Sequence, residues 1–203
     1  MSHFFKRTSP YLLWAILALP SFAIVSQALG AETNRVYHQL LHPTGEFAAR
    51  FMIISMMATP LMMLFKGWRG PQWLRKNRRY FGVAAFAYAA LHTLFYLMSE
   101  PLQRILAEAT DFEIWTGWVA FAIFIPLAAT SHDWAVRKMG PAWKSLQRWT
   151  YGAAVLTLLH WASLHDWRSP TAAIVHFTPL ALLTLYRIWS TYSRRRARAL
   201  KAA

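Results

Sequence analysis

The chain has 203 residues, a formal net charge of +14 and 56% hydrophobic residues, among them 11 tryptophans and 13 phenylalanines, with no cysteine. The lack of cysteine excludes disulfides, thiolate-bound zinc, cysteine-bound iron–sulfur clusters and covalently attached c-type haem. Basic soluble proteins, including nucleic-acid binders, rarely carry so much apolar sequence, so the composition indicates an integral membrane protein with basic loops, the lipid bilayer as its surroundings and no nucleic-acid partner.

Six apolar stretches of about 20 residues follow one another along the chain and predict six transmembrane segments. They cover residues 10–29, 44–65, 80–98, 114–130, 149–165 and 171–190. Each is expected to be a helix, because lipid offers no hydrogen-bond partner to backbone groups. Since only short polar loops separate them, we expect residues 1–203 to form a single all-α transmembrane domain, a six-helix bundle without a linker or an internal repeat.

The loop charges predict the orientation of this bundle. Lysine and arginine precede the first stretch, follow the second and the fourth, and form the run RRRARALK at 194–201, whereas the remaining loops carry mainly glutamate and aspartate. By the positive-inside rule, both termini are expected in the cytoplasm. The basic tail could also bind anionic lipid or nucleic acid. Residues 1–30 could also be a cleaved signal peptide, but their apolar run is too long for one, which favours a retained helix.

Two histidines lie inside predicted membrane helices. His92, in FAYAALHTLFYL, lies about 20 Å into the third stretch, and His160 lies about 18 Å into the fifth, so both are expected at one height, nearer the outer side. Small residues share their helix faces and leave room for a flat macrocycle. Two neutral imidazoles from facing helices are what a six-coordinate b-type haem requires. A buried histidine bonded to a hydroxyl or a carbonyl is the ordinary alternative.

Further polar residues cluster at the same side. Arg50 is expected either to balance a haem propionate or to pair with Glu46 four residues earlier. His38 and His42 have the helical spacing of zinc ligands, but no third ligand stands out and Pro43 is expected to break the helix. The roles of the outer histidines stay open: His38, His42, His165 and His176.

A second polar layer is expected at the cytoplasmic side. Arg78 and Gln147 lie at matched depth, each about 20 Å from the histidine pair. Arg78 belongs to WLRKNRRYFG, whose cations and aromatic rings could hold a flavin phosphate or a quinone head group, or could simply set the topology. The sequence has no dinucleotide-binding glycine motif, P-loop or Ser–His–Asp signature, so we assign no catalytic residue.

Three segments together resemble one known family. HPTGEFAARFMIISMMATPL, RRYFGVAAFAYAALHTLFYL and LQRWTYGAAVLTLLHW are similar to the haem-binding membrane subunit of the periplasmic methionine-sulfoxide reductase system. This is the MsrQ or YedZ family, within the ferric-reductase-like transmembrane group. The resemblance runs over about residues 10–192 of the chain.

The resemblance implies a haem b protein of the bacterial inner membrane. It implies electron uptake from the quinone pool, with FMN as a further cofactor, and delivery to a periplasmic molybdopterin enzyme, MsrP, which reduces methionine sulfoxide in oxidised periplasmic proteins. It implies that His92 and His160 bind the haem iron and that Arg78 is the family's basic residue before the third-span histidine. Where relatives carry a third histidine, this chain has Gln147, which argues against a second, inner haem and favours a hydrogen bond to flavin or quinone.

The expected function is therefore that of an electron-transfer subunit, not of a catalytic one. A ferric-chelate reductase, or a cytochrome b subunit of another periplasmic oxidoreductase, is the alternative within electron transfer. A proton or ion transporter is an alternative of another class, for which broken helices at matched positions in two halves would be expected. Four prolines lie in or near the predicted spans without such symmetry: Pro20, Pro60, Pro126 and Pro179.

Overall fold

The chain is all-helical, as the sequence predicts. A computed structural model describes the backbone of residues 2–164 and 167–202, and the side chains of residues 11–164 and 167–200. Within these ranges the chain forms nine helices and no strand. They are α1 (Ser2–Leu29), α2 (Asn34–Leu64), α3 (Arg69–Ser99), α4 (Leu102–Glu108), α5 (Phe112–Ala129), α6 (Asp133–Met139), α7 (Pro141–Gln147), α8 (Trp149–Ser163) and α9 (Thr171–Ala202).

Five helices of the described ranges, α1, α2, α3, α5 and α9, are long and apolar enough to cross a membrane. The fifth predicted stretch corresponds to α8, which has only 15 residues. At about 1.5 Å per residue this helix spans about 22 Å, less than a hydrocarbon core of about 30 Å. Only Arg148 separates it from α7, and this residue has the helical backbone angles φ −69° and ψ −24°. Residues 141–163 therefore form an almost continuous helical segment.

Several helices extend beyond the predicted spans. The helix α3 begins at Arg69 and carries the basic segment that precedes residue 80, and α9 continues through the basic tail to Ala202. The predicted bounds followed the apolar runs, which mark the part of a helix that lies in hydrocarbon. Outside that layer a helix can continue with polar residues, because water satisfies its side chains.

The expected helix break at Pro43 is wrong, since α2 runs through this residue without interruption. Proline removes one backbone donor and crowds the preceding turn. Beside it, the Thr44 hydroxyl donates to the carbonyl oxygens of Leu40 at 2.7 Å and Leu41 at 3.0 Å. The carbonyl that Pro43 leaves without a helical donor is that of Gln39, and it is not one of these two, so the packing of α2 along α3 is what keeps the helix continuous.

The helices pair into two antiparallel hairpins. In the first, α2 packs along α3, and in the second, α5 packs along α8. The antiparallel sense follows from side-chain contacts, because Arg78 near the start of α3 reaches Thr59 near the end of α2. Likewise Gln147, just before α8, donates to the Leu127 carbonyl near the end of α5. The helix α9 packs on α2 and α8, and α1 packs on α2 and α3.

The centre of the bundle is a buried cluster to which both hairpins and α9 contribute, including Ala49, Ala85, Phe124, Ala153 and Phe177. Its alanines let the helix backbones approach closely, which is how membrane helices commonly pack. Ala153 is fully buried, so a larger side chain there would force the helices apart.

The two ends of the bundle differ in charge. The basic end carries the arginines and lysines of residues 66–79 and 137–148, and the acidic end carries Glu100, Glu108 and Asp111. At the basic end, Arg79 of α3 pairs with Asp133 of α6 at 2.5 Å and holds the pKa of that carboxyl below its ordinary value. Because Asp133 is exposed, water screens this ion pair and its weight in stability is small.

Candidate functional site

His92 of α3 and His160 of α8 lie next to each other inside the bundle, with their rings nearly perpendicular. Their ring centroids are 6.1 Å apart and their ring planes meet at 82°. A metal–imidazole bond is about 2 Å long, and the ligating nitrogen lies about 1 Å from the ring centre, so two imidazoles on opposite sides of one metal ion have centroids about 6 Å apart. The observed separation matches this arrangement. The two histidines also lie at the same height in the bundle, as the sequence predicts.

The hydrogen bonds of the two rings determine which nitrogen can bind a metal ion. Nδ1 of His92 lies 3.0 Å from the carbonyl oxygen of Leu41, and Nδ1 of His160 lies 2.5 Å from that of Glu113. A carbonyl oxygen only accepts, so each Nδ1 carries the hydrogen and donates it. In the neutral form of each ring the lone pair is then on Nε2, the atom that can ligate a metal ion, and a carbonyl lies behind the ring.

A cavity of about 680 Å³, here called the histidine cavity, opens beside the two rings. Small residues of α2, α3 and α5 form part of its wall, among them Gly45, Ala48, Ala89, Gly117 and Ala120, and charged and aromatic residues line the rest. Cofactor cavities usually measure about 300–1,000 Å³. Of the small residues that the sequence placed beside the histidines, Ala89 and Thr157 line this cavity, whereas Ala85 lies in the buried cluster.

Two further polar residues line the histidine cavity. Tyr96, which the sequence places among the aromatic residues near the histidine pair, is one of them, and its hydroxyl is buried without a hydrogen-bond partner in the described part of the chain. Arg104 of α4 also lines it and pairs with Glu100 at 3.3 Å and Glu108 at 2.7 Å. Tyr96 lies four residues beyond His92, on the same helix face. The role of Arg104 was missed, because in the sequence it is one of few cations in an acidic loop, and nothing there places it near the histidines.

Arg50 forms the local ion pair, which was one of its two expected roles. It donates to the Glu46 carboxylate at 2.6 Å and, through Nε, to Nε2 of His176 at 3.2 Å. The His176 ring in turn lies against Trp161, with centroids 5.0 Å apart. In the described part of the chain, the arginine that lines the histidine cavity is Arg104, and Arg50 does not line it.

The other outer histidines have separate surroundings. His38 and His42 line the mouth of the histidine cavity, and Nε2 of His42 lies 3.8 Å from the Glu46 carboxylate. His165 lies outside the described residues. Within the described ranges, no group of three or more histidines and carboxylates converges as metal ligands would. A macrocycle that supplies four nitrogens needs only the two facing imidazoles.

Arg78 and Gln147, the two residues predicted for the cytoplasmic side, line one common cavity of about 490 Å³ at the basic end. In this basic cavity, Arg78 donates to the Thr59 hydroxyl at 3.2 Å and Gln147 donates to the Leu127 carbonyl at 3.3 Å. Further cations of α3 and α9 line it: Arg75, Lys76, Arg79 and Arg187. Arg187 was missed, because it lies inside the last predicted apolar stretch.

A wall of aromatic rings separates the two cavities. Phe124 lines both of them. Beside it, Phe86 of the basic cavity stacks on Phe121 of the histidine cavity, with centroids 5.8 Å apart and planes 10° from parallel. The two candidate sites are therefore neighbours across one layer of packed side chains.

The two nitrogen donors, the distance between their rings and the volume of the cavity fit a haem held by two histidines. Two neutral imidazoles face each other at the required separation, small residues border the gap, and Tyr96 contributes a buried hydroxyl whose partner would come from a bound group. Haem ligation by histidine, with protein hydrogen bonds behind the ligands, is a common arrangement in membrane electron-transfer proteins.

Known proteins resemble the chain over most of its length. The family of ferric-reductase-like transmembrane components matches residues 44–158, a range that includes His92 and ends just before His160. The chain is 33% identical over 178 residues to proteins of Brucella ovis, Brucella canis and Brucella suis that are named protein-methionine-sulfoxide reductase heme-binding subunit MsrQ. These alignments cover 85% of this chain and 76% of each relative. No solved structure matches the chain.

Proposed function

We propose, since the chain belongs to the MsrQ/YedZ family of ferric-reductase-like transmembrane components, that it passes electrons from the quinone pool to a periplasmic methionine-sulfoxide reductase. The observation that carries this proposal is the facing pair of imidazoles, whose Nδ1 hydrogens are both bonded to carbonyls. A haem b bound there would supply a centre that accepts and releases one electron at a time. The protein would be an electron-transfer subunit with no catalytic residue of its own.

The chain's own residues would hold and shield this centre. His92 and His160 would ligate the iron through Nε2, and their carbonyl partners would fix the ring orientations. The small residues of α2, α3 and α5 would lie against the macrocycle, and the aromatic wall would keep water from reaching it from the basic end. Tyr96 and Arg104 are suited to the propionate groups, as donors to carboxylates.

Electron entry is proposed at the basic cavity. Its cations suit a flavin phosphate or the oxygens of a quinone head group, and its place across the aromatic wall puts a bound donor next to the histidine cavity. FMN is the flavin expected from the family. Gln147 occupies this cavity in the place of a histidine and offers an amide for hydrogen bonding, so we propose one haem per chain.

Electron exit is proposed at the acidic end. The histidine cavity is lined there by Glu100, Arg104, Glu108 and Asp111, so a bound haem would lie close to this surface. The partner is proposed to be a molybdopterin-dependent reductase of the MsrP kind, which repairs oxidised methionine in periplasmic proteins. The names of the Brucella relatives, as subunits of a protein-methionine-sulfoxide reductase, support this assignment.

The exchange of electrons can be followed in purified protein. In lipid nanodiscs without oxygen, we expect a reduced quinone to reduce the haem, and a periplasmic methionine-sulfoxide reductase supplied with methionine sulfoxide to reoxidise it. Haem absorbance reports both steps. Reoxidation by a ferric chelate, with none by the reductase, would instead assign the chain as a ferric-chelate reductase, the alternative that the matching family's description favours. Failure with both acceptors would point to a cytochrome b subunit of another oxidoreductase.

The proposed orientation has both termini in the cytoplasm of a bacterium, six spans in the inner membrane, and α8 as the shortest of them. Green fluorescent protein fused after residue 203 or inserted at Gly140 should fluoresce, whereas alkaline phosphatase inserted near Ala109 should be active. If α8 did not cross the membrane, the carboxyl terminus would lie on the other side. Phosphatase activity in a fusion at residue 203 would therefore contradict the six-span topology.

A further inference from the structure

The two hairpins carry the same short sequence at equivalent places. Thr-Gly occurs twice in the chain, as Thr44-Gly45 on α2 and as Thr116-Gly117 on α5. In both cases, the carbonyl that accepts the histidine Nδ1 belongs to the residue four positions before the glycine, Leu41 or Glu113. No internal repeat is expected from the sequence, because the two copies become equivalent only in the fold, where the partner helix of each hairpin contributes a histidine.

The glycines are the points at which the histidine rings touch the neighbouring helix. A Cβ atom at Gly45 would lie 3.2 Å from Nδ1 and from Cε1 of His92. At Gly117 it would lie 2.9 Å from Nδ1 and 3.0 Å from Cε1 of His160. A contact of 2.9 Å forces the His160 ring to move, and at 3.2 Å the His92 ring would have to give by a few tenths of an ångström. Each imidazole therefore lies where it does because the neighbouring residue has no side chain.

The threonines share their carbonyl acceptors with the histidines. Both are fully buried. The Thr44 hydroxyl lies 2.7 Å from the Leu40 carbonyl oxygen and 3.0 Å from that of Leu41. The Thr116 hydroxyl lies 2.7 Å from the Phe112 carbonyl oxygen and 3.1 Å from that of Glu113. The longer contact of each hydroxyl is to the oxygen that also accepts from a histidine ring. An oxygen that accepts two hydrogen bonds polarises each donor less than it would a single one. Each threonine therefore weakens the pull of the carbonyl on the Nδ1 hydrogen behind the ligand.

We propose that Thr44-Gly45 and Thr116-Gly117 are matched positioning elements for a haem, in which each glycine sets where its histidine ring lies and each threonine sets how strongly that ring donates to the iron. This inference rests on the proposed function. None of the four residues would touch the iron. They act through His92 and His160.

The glycines are tested by substitution with alanine. We expect Gly117→Ala to lose most of its bound haem, or to keep it with a changed low-spin EPR spectrum. Gly45→Ala should show a smaller effect of the same kind, because its Cβ atom would be farther from the histidine ring. Rings that meet at 82° give a highly anisotropic ferric low-spin signal, and rotation of one ring alters it. Alanine is the better helix former, so lower helix propensity cannot explain a loss of haem.

The matched control is Gly152→Ala on α8, the helix that carries His160. A Cβ atom there would come no closer than 3.8 Å to its neighbours, so this variant should keep the wild-type haem content and spectrum. If Gly117→Ala showed the same EPR spectrum and haem content as wild type, the glycine would have no positioning role. A wild-type protein without bis-histidine haem would overturn the proposed function itself, so the two failures are distinguishable.

The threonines are tested by the reduction potential, which a purely structural role would not shift in a fixed direction. Thr116→Val keeps the branched shape and removes the hydroxyl, so Nδ1 of His160 has one competitor fewer for the Glu113 carbonyl. The ring then donates more strongly to ferric iron, and the midpoint potential should fall at unchanged haem content. Thr178→Val, whose hydroxyl bonds to the Ile174 carbonyl on α9, should leave the potential unchanged. An unchanged or raised midpoint potential in Thr116→Val would contradict the proposal. This test does not depend on whether the glycine variants fold.

Discussion

Replacement of either His92 or His160 by alanine should leave the purified protein without its b-type haem spectrum. The two imidazoles have centroids 6.1 Å apart, the separation at which one iron between them would use both, so a single remaining histidine would hold the haem through one bond only. We therefore expect near-complete loss of haem in each single variant, and no further loss in the double variant. Pyridine haemochrome assays per mole of protein measure this directly.

Two controls make that result specific. His176→Ala removes a histidine that is bonded to Arg50 and the Ala172 carbonyl and should retain full haem content. Wild-type protein should contain one haem per chain, and Gln147→Ala should contain the same amount, because we propose no iron at Gln147. A colourless but folded wild-type protein from haem-replete cells would refute the haem assignment. Two haems per chain would refute the assignment of the basic cavity.

Arg78→Ala should weaken the use of a reduced quinone without changing the haem. Its guanidinium lines the basic cavity beside Gln147 and is held by the Thr59 hydroxyl, so it can donate to a bound head group. A hydrogen bond from a charged group contributes about 1.5–3 kcal/mol, and about 1.4 kcal/mol corresponds to a tenfold change in affinity. We expect the quinol concentration for half-maximal haem reduction to rise roughly tenfold, with stopped-flow absorbance as the measurement.

The matched control for this arginine is Arg137→Ala. Arg137 is an exposed cation of α6 at the same basic end, and it does not belong to the described lining of the basic cavity. It tests whether net positive charge alone accounts for the effect. Equal behaviour of the two variants would mean that the cations act only on topology or on the membrane surface, and that electrons enter elsewhere.

Much of the helical fold could be predicted from the sequence, because hydrocarbon leaves an apolar segment little choice but to form a helix. The apolar runs identified each long helix and put His92 and His160 at one height. They could not give the full helix lengths, since α3 and α9 continue into polar sequence where hydropathy carries no information. The break expected at Pro43 was wrong because local propensity takes no account of the packing of α2 along α3.

The candidate site was predictable in its side chains and unpredictable in its backbone. Arg78 and Gln147 share a cavity, as their matched depth suggested. The carbonyls of Leu41 and Glu113 have no signature in the sequence, because every residue has a carbonyl and only the packing of helices decides which one meets a ring. Arg187 was hidden by the apolar residues around it.

The aromatic wall at Phe124 also has an electrical consequence. In the proposed orientation, an electron that passes from the basic cavity to the histidine cavity moves negative charge away from the negatively charged side of an energised membrane. The transmembrane potential contributes about 2.3 kcal/mol per charge for each 100 mV. The electron step between the two cavities gains the part of this energy that corresponds to the share of the potential lying across the aromatic wall. A layer of packed rings excludes water and ions, so this fraction can drive electrons outward without a leak of protons.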